Sequence, residues 1–511
     1  MFKRRSWTFW PTYIDNNTLI TSTPKRSPLI FICLLFFAAV VNLAFLKNQL
    51  WQDELYSLDH FILVPVTRTL TDYHDNNNHI VFSLLSNVYL QVIGIRDPSE
   101  ILDNPWIIRI LPYAFTLMGI ACFYLLSGRV FGDLPARISS ILLVTSLQTY
   151  SFGTQVRGYS LGTFLFALHF LLLLRYRQVQ NKRLLLPLTL LGALALINLP
   201  SALYTYAAIG SILLISASAS PDARRRLVTI RSVEAQLLLT LAGSIALASL
   251  YFLTLRQQIA QNTVILPVHN SFLVLLKQPF AVFYHFIDLR YFILIPAVLS
   301  FLILSKKESQ YHFSIFLAGS FFLPFLFFAL HDPMIIPRTW IVLLPVFCLF
   351  MGQIITPFFM AFRKWLLPFE ALCILALAFS FFFLRQSILH SNGEDKIALD
   401  LKYQYHLFGF NPNDILDTAV KIAGQEQTKI RIDENFQAGI RYYARYRPLD
   451  SINRANKNSD KVILLTDKPL TADDVNKMNK TIVDYGKNND RNFYKWYLLR
   501  PEMLPVTPGN K

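Results

Sequence analysis

Charged residues are scarce in this sequence. Asp, Glu, Lys and Arg make up 16% of its 511 residues, whereas soluble globular domains carry about 25%. Apolar residues reach 53%, with 43 Phe, and they fall in long runs. Because each bilayer crossing needs about 20 predominantly apolar residues, this composition excludes an ordinary soluble domain and predicts a polytopic α-helical membrane protein.

Cysteine is scarce as well. The four cysteines lie in apolar runs and show no metal-ligand spacing: Cys33, Cys122, Cys348 and Cys373. This pattern predicts neither a disulfide nor a cysteine–zinc site. The sequence has no obvious repeat, and its polar C-terminal region has no glycine-rich phosphate loop, so no bound nucleotide is predicted.

The net charge of +16 does not indicate a nucleic-acid partner. The densest basic clusters are KRR (3–5), which precedes the first apolar run, and RYRQVQNKR (175–183) and RRR (224–226), which follow apolar runs. Cytoplasmic loops of membrane proteins collect Lys and Arg in this way. We therefore predict that residues 1–27 are cytoplasmic and that the other two clusters belong to cytoplasmic loops.

The same rule sets the topology of the apolar region 28–384. The first run, 28–46, is predicted to be a retained span, and the next clear span covers 106–127. The segment between them, 47–105, is predicted to be extracytoplasmic. Its amphipathic stretch 80–94 is short for a span and is predicted to lie at the interface, which keeps the later basic clusters inside. About eleven spans result.

The polar tail, 385–511, is predicted to form a small extracytoplasmic α/β domain. An amphipathic helical pattern starts at DILDTAV (414–420). Three short β-like runs follow, KIRID (429–433), VILLT (462–466) and NFYKWYLLR (492–500). Helices that alternate with short strands are typical of this architecture.

The predicted topology gathers polar residues at the outer boundary. Asp53 follows the first span directly, and a carboxylate there can act as a general base on a hydroxyl or bind a hard cation. Glu54 can supply a second ligand. The structural alternative is that both residues begin a helix, where acidic side chains are favourable. Asp75, in the stretch DYHDNNNH (72–79), is a further candidate for substrate binding.

Basic and aromatic residues lie at the same boundary. Arg157 and Arg338 are outside, where the topology rule does not require cations, and a guanidinium suits bidentate phosphate binding. Snorkelling or an ion pair is the alternative for both. His79 can contact a phosphate, a carboxylate or a metal, or can simply begin a helix. Tyr159 can bind substrate or serve as an interfacial aromatic.

Four motifs in order resemble a known family. They are the acidic pair after the first span, NNNHIVFSLL (76–85), QVRGYSL (155–161) and PRTWIVLLPVFCLFMG (337–352). The sequence resembles the GT-C fold membrane glycosyltransferases, nearest to the bacterial protein O-mannosyltransferase-like and aminoarabinose-transferase-like branch. Oligosaccharyltransferase-like members carry a second acidic site, whereas this chain has Gln155 before Arg157, which disfavours a tightly bound metal.

The resemblance implies an activity and a location. The activity is inverting transfer of a hexosyl or pentosyl group from a polyprenyl-phosphate sugar to a hydroxyl of a lipid, glycan or protein acceptor. Asp53 would be the general base, and Glu54 would orient it. Arg157 and Arg338 would hold the lipid phosphate, and His79 would contact phosphate or sugar. No cofactor is implied, and a divalent cation is left open as an alternative. The location is the bacterial inner membrane.

Topology supports a lipid donor independently of the resemblance. Nucleotide sugars are cytosolic, whereas the polar cluster is predicted to face outward. The principal alternative is a secondary transporter of an envelope precursor, but transporters place their sites near the midplane between internal repeats. A membrane-anchored scaffold is a third interpretation, and it predicts no effect of changing Asp53.

Overall fold

The computed structural model describes most of the apolar region and parts of the tail. The described residues are 28–43, 45–47, 50, 52–75, 77–218, 232–262, 272–287, 290–304, 308–329, 337–390, 412–427, 429–432, 449–456, 462–466, 480–487 and 495–501. The predicted cytoplasmic segment 1–27 lies outside them. The chain divides into two compact units. Among the described residues, the first unit covers 28–46, 57–96 and 108–381, and the second covers parts of 47–56, 97–107 and 382–511.

Helices make up nearly all of the described part of the apolar region. Up to residue 218 they are α1 (Pro28–Leu43), α2 (Gln52–Ser57), a π-helix (Leu58–Ile62), α3 (Val66–Thr71), α4 (Ile80–Ile93), α5 (Pro98–Asp103), α6 (Trp106–Phe131), α7 (Asp133–Val144), α8 (Leu147–Gly153), α9 (Tyr159–Val179), α10 (Leu185–Asn198) and α11 (Ala202–Ser218). They continue with α12 (Val233–Thr254), α13 (Arg256–Asn262), α14 (Phe272–Ile287), α15 (Leu294–Leu304), α16 (Glu308–Ala329), α17 (Leu344–Ala361) and α18 (Leu366–His390). Short 3₁₀ turns occupy Lys182–Leu184, Tyr291–Ile293, Pro337–Leu343 and Arg363–Trp365.

Four helical segments of the described chain are long and apolar enough to cross a bilayer. They are Trp106–Phe131, Tyr159–Val179, Val233–Thr254 and Trp340–Ala361. The first of them contains the predicted span 106–127. These segments agree with the predicted class of a mostly helical membrane protein, while the count of about eleven spans stays a prediction.

Close helix packing holds the first unit together. Helix α7 packs against α17, α10 against α12, and α11 against α16. Gly352 shows why small residues are needed, since a Cβ there would lie 2.0 Å from the Ser139 Oγ on α7. Small residues let helix backbones approach closely where apolar burial against lipid gives little driving force.

The amphipathic stretch 80–94 is helical, as predicted, and forms α4. Helix α4 packs against α3, the π-helix and α10. It buries Ile80, Phe82 and Leu90 and exposes Val88 and Val92. This two-sided burial follows the amphipathic pattern. Its position at a membrane interface stays a prediction.

The tail contains a four-stranded sheet in the order β1 (Lys429–Ile432), β2 (Val462–Thr466), β4 (Lys495–Pro501), β3 (Lys480–Lys487). Strands β1 and β2 are parallel, and the other pairs are antiparallel. Helix α19 (Pro412–Glu426) and α20 (Leu449–Ala455) both contact β1. The sequence predicted β1, β2 and β4. It missed β3, an edge strand with a Gly and an irregular register at Ile482/Asp484, because its apolar alternation is weak.

Candidate active site

Asp53 and Glu54 begin helix α2. Both lie in its first turn, where acidic side chains interact favourably with the helix dipole. The structure thus agrees with the helix-start interpretation, which does not exclude a chemical role. Glu54 is fully buried, whereas Asp53 is partly exposed. The pair belongs to the second unit, and the other candidate residues belong to the first.

A tight loop carries Asp75 and His79 into helix α4. The Asp75 carboxylate accepts a hydrogen bond from the Asn77 backbone N–H at 2.7 Å. The buried Asn78 amide donates to the carbonyls of Thr69 at 3.1 Å and Asp72 at 2.6 Å. Asn and Asp favour such local turns because their short side chains reach nearby backbone groups. Asp75 therefore shapes the loop, and its role in substrate binding stays a prediction.

Helices α12 and α13 anchor the start of this loop. The Tyr251 hydroxyl donates to the Leu70 carbonyl at 2.5 Å, and Gln258 bonds both the Thr71 carbonyl and the Tyr73 N–H. Burial, reinforced by nearby Asp75 and Tyr251, raises the pKa of Tyr73 to about 12. The Tyr73 phenol is therefore neutral at physiological pH.

Asp72 has a more polar environment. Burial alone would raise the pKa of its carboxyl, but hydrogen bonds from His74 and Arg68 hold that pKa below its ordinary value. Asp72 therefore stays ionised at neutral pH, and it orders the outer part of the loop through two basic side chains.

The loop between α8 and α9 carries Gln155 and Arg157. Two side chains of α6 fix its start. The buried Arg109 donates from Nη1 to the Thr154 carbonyl at 2.8 Å, and the Thr116 hydroxyl donates to the Gly153 carbonyl at 2.9 Å. Backbone groups outside regular structure need such partners when they are buried. The loop is therefore held against a long apolar helix.

The two loops meet at Arg157. Its Nη2 donates to the Asn77 side-chain oxygen, and its guanidinium lies 4.9 Å from the centre of the Tyr159 ring. The rings of Tyr159 and His79 are 5.0 Å apart in an edge-on arrangement. All three side chains are at least nine-tenths buried. The structure thus brings together His79, Arg157 and Tyr159 and connects Asp75 to them through Asn77.

The sequence did not identify two asparagines of this cluster as candidate site residues. Asn77 bonds Arg157, and Asn198, at the end of α10, contacts both loops. The only sequence signals were the NNNH stretch and a lone Asn that ends an apolar run before Pro200. Neither signal identifies a partner far away in the chain.

Arg338 lies in the 3₁₀ turn Pro337–Leu343, and its side chain is outside the described residues. No cluster of three or more His, Cys, Asp or Glu side chains suited to a metal occurs among the residues that the structure describes. Asp53 and Glu54 could supply oxygen ligands to a divalent cation, an alternative that the sequence left open while disfavouring a tightly bound metal.

A cavity of about 40 Å³ borders Tyr159. Its walls are mostly apolar and include Phe115, Phe152 and Phe164. Gln148 and Ser160 also line it, and their side-chain polar atoms have no hydrogen-bond partner among the described residues. A group that enters this cavity would meet apolar surface together with a buried amide and a hydroxyl.

This chain is similar to several solved structures. Two are ArnT from Cupriavidus metallidurans, both with a TM-score of 0.49 and 11% identity. The match to the apo form covers 91% of this chain and 97% of the ArnT chain. The match to the form bound to undecaprenyl phosphate covers 95% of this chain and 99% of the ArnT chain. The Archaeoglobus fulgidus oligosaccharyltransferase tethered with an acceptor peptide has a TM-score of 0.42 and 13% identity, over 86% of this chain and 69% of that chain.

This chain is similar to GT-C fold glycosyltransferases. No protein-family model matches the sequence, and no curated protein matches it significantly. At 11–13% identity, these similarities concern the fold alone.

Proposed function

We propose that this protein transfers a sugar from a polyprenyl-phosphate-linked donor to an acceptor hydroxyl at the extracytoplasmic face, with inversion at the anomeric carbon. The observation that supports the proposal most directly is the buried cluster of His79, Arg157 and Tyr159, which two distant loops form within the apolar helical unit. A buried guanidinium on an aromatic ring is well suited to an anionic group, because a cation interacts more strongly where water is excluded.

The proposed reaction is a direct displacement. Asp53 accepts the proton of the acceptor hydroxyl, and the acceptor oxygen forms a bond to the anomeric carbon. The bond from that carbon to the phosphate oxygen breaks, and its electron pair leaves with polyprenyl phosphate, which gains one negative charge. Glu54 orients Asp53 or the acceptor. General-base help of this kind is worth about 10²–10⁴-fold.

Arg157 and Arg338 have the complementary role in the proposal. They hold the lipid phosphate and stabilise the charge that develops on it as the glycosidic bond breaks. Asn77 and the Tyr159 ring keep the Arg157 guanidinium in one orientation. Such fixed donors lower the barrier because they need no reorganisation during the reaction. His79 contacts the phosphate or the sugar.

The donor sugar is a hexosyl or pentosyl group, and the acceptor is a lipid, a glycan or a protein. The enzyme resides in the bacterial inner membrane, with the tail outside. Participation of a divalent cation is tested by adding a chelator and then restoring the metal. Loss and recovery of turnover would show that a divalent cation takes part in the reaction.

The test is release of polyprenyl phosphate from a panel of polyprenyl-phosphate sugars by the purified protein and its Asp53→Asn variant. We expect turnover by the wild type and a rate about 10²-fold or more lower in the variant. The Asn side chain keeps the shape of Asp but cannot accept the proton. Asp97→Asn is the matched control. Asp97 caps α5 through the Ser99 N–H, a bond that Asn can also accept, so full activity is expected.

Either contrary result is informative. Equal turnover by the wild type and Asp53→Asn would remove Asp53 as the base and keep the enzyme class. No turnover of any donor, with acceptor extract and divalent metal supplied, would favour the transporter interpretation.

A further inference from the structure

Asn198 lies where helix α10 ends. It is fully buried, and Pro200 follows two residues later, as is common after a helix C-terminus. The last carbonyls of a helix have no partner within it, so a buried helix end needs partners from elsewhere. The carbonyl of Asn198 has its partner in His79, and the Asn198 side chain makes separate contacts with both loops of the candidate active site.

The side chain of Asn198 connects those loops directly. Its Oδ1 accepts a hydrogen bond from the Phe82 N–H at 3.1 Å, and its Nδ2 donates to the Gly158 carbonyl at 2.7 Å. His79 precedes α4 without capping it by a side-chain hydrogen bond. Asn198 therefore caps the start of α4 from another helix and holds the residue next to Arg157 with the same amide.

The backbone carbonyl of Asn198 also contacts the site. The Nδ1 of His79 lies 3.2 Å from it. A carbonyl can only accept, so this bond requires a proton on Nδ1, and the neutral ring then carries its lone pair on Nε2. The neutral His79 ring can then act as a hydrogen-bond acceptor at Nε2, for example toward a sugar hydroxyl.

We infer that Asn198 is a positioning residue, which fixes the His79 ring and the Arg157 loop relative to each other. The inference rests on the proposed function for its catalytic meaning, whereas the connection itself rests on the contacts alone. Only an amide supplies a donor and an acceptor at this length. Asp keeps the acceptor and loses the donor, and Leu keeps the volume and loses both.

Hydrogen–deuterium exchange of the purified full chain tests the connection without any substrate. In Asn198→Ala, peptides that cover 79–83 and 155–160 should exchange about 5- to 30-fold faster, as expected when one or two hydrogen bonds are lost. In Asn198→Asp, only the 155–160 peptide should loosen. Thr205→Val is the control, since Thr205 is equally buried on the neighbouring helix α11 and its hydroxyl has no partner among the described residues.

A double-mutant cycle tests the positioning role. Asn198→Ala should lower kcat/KM for the donor by up to about 100-fold, the size of effect that a misplaced catalytic group produces. That loss should shrink by about fivefold or more when His79 is already Ala, because interacting residues are not additive. A purely structural role would give the same fold-loss in both backgrounds.

The outcomes separate the two ideas. Faster exchange in both peptides with non-additive kinetics supports the inference. Unchanged exchange in Asn198→Ala, or equal losses with and without His79, overturns it. If the wild type turns over no donor, the proposed function fails, and the exchange pattern alone decides whether Asn198 holds the two loops together.

Discussion

Arg157 does not have the environment of a snorkelling arginine. A snorkelling side chain extends its charged end toward water, whereas Arg157 is only 2% exposed and lies on the Tyr159 ring. Burying a charge costs free energy that a surface position would not require. This cost favours a specific role for Arg157 over simple anchoring at the interface.

At the scale of single residues, the sequence indicated the chemical types but not their partners. His79, Arg157 and Tyr159 could be selected because they lie at predicted helix ends on one side of the membrane. Asn198 could not be selected, because its contacts with His79 and Phe82 span 119 and 116 residues of chain. Contacts this distant leave no periodic signal in a single sequence.

Gly158→Ala should be poorly tolerated. A Cβ there would lie 2.4 Å from the His79 Cβ and 2.9 Å from the Asn198 Oδ1, so both loops would have to move apart. Overpacking of this kind costs about 1–3 kcal/mol. Thermal unfolding in detergent should show this loss of stability as a lower unfolding temperature. Donor turnover should fall as well.

Gly210→Ala is the control for Gly158. An added Cβ at Gly210, within α11, has no atom within 4 Å. Alanine there should leave stability unchanged or raise it by up to about 1 kcal/mol, because Gly is a poor helix former. Equal stability of Gly158→Ala and the wild type would contradict the close approach of the loops.

At the scale of elements, helix α4 was predicted because its amphipathic pattern is local. Strands β1, β2 and β4 were predicted for the same reason. The π-helix Leu58–Ile62 was not predicted, because the donor to the carbonyls at its end lies on another helix. The buried Asn87 of α4 donates to the carbonyls of Ile62 at 2.7 Å and Val64 at 2.5 Å. One side chain thus donates hydrogen bonds to two carbonyls, one at the end of the π-helix and one just beyond it.

Asn87→Ala should therefore destabilise the segment 58–79. Two carbonyls would lose their donor, and a buried unsatisfied polar group costs about 1–3 kcal/mol. The expected results are a lower unfolding temperature and faster proteolysis between the π-helix and α4. Val92→Ala is the control on the same helix, since Val92 is 79% exposed and should tolerate truncation. Equal protease resistance of both variants would contradict the proposal that the hydrogen bonds of Asn87 stabilise this segment.

At the scale of the whole molecule, composition was sufficient to predict the class. A chain with few charges and long apolar runs is expected to place helices in lipid. Helices suit that environment because their backbone N–H and C=O groups form hydrogen bonds within the segment. The arrangement of the helices depends on close contacts such as Gly352 with Ser139, which many sequences of the same hydropathy would not make. Composition therefore predicts the class better than it predicts the packing.

The predicted orientation has a direct test. Because the basic clusters 175–183 and 224–226 are assigned to the cytoplasm, the last span, 366–384, should deliver the tail outside. Protease added to intact spheroplasts should cleave near 450–460 and leave an epitope at the N-terminus intact, and inverted vesicles should give the opposite pattern. Cleavage of the N-terminal epitope with protection of the tail would invert the topology. Asp53 would then face the cytosol, where nucleotide sugars are available, and the topological argument for a lipid-linked donor would be lost.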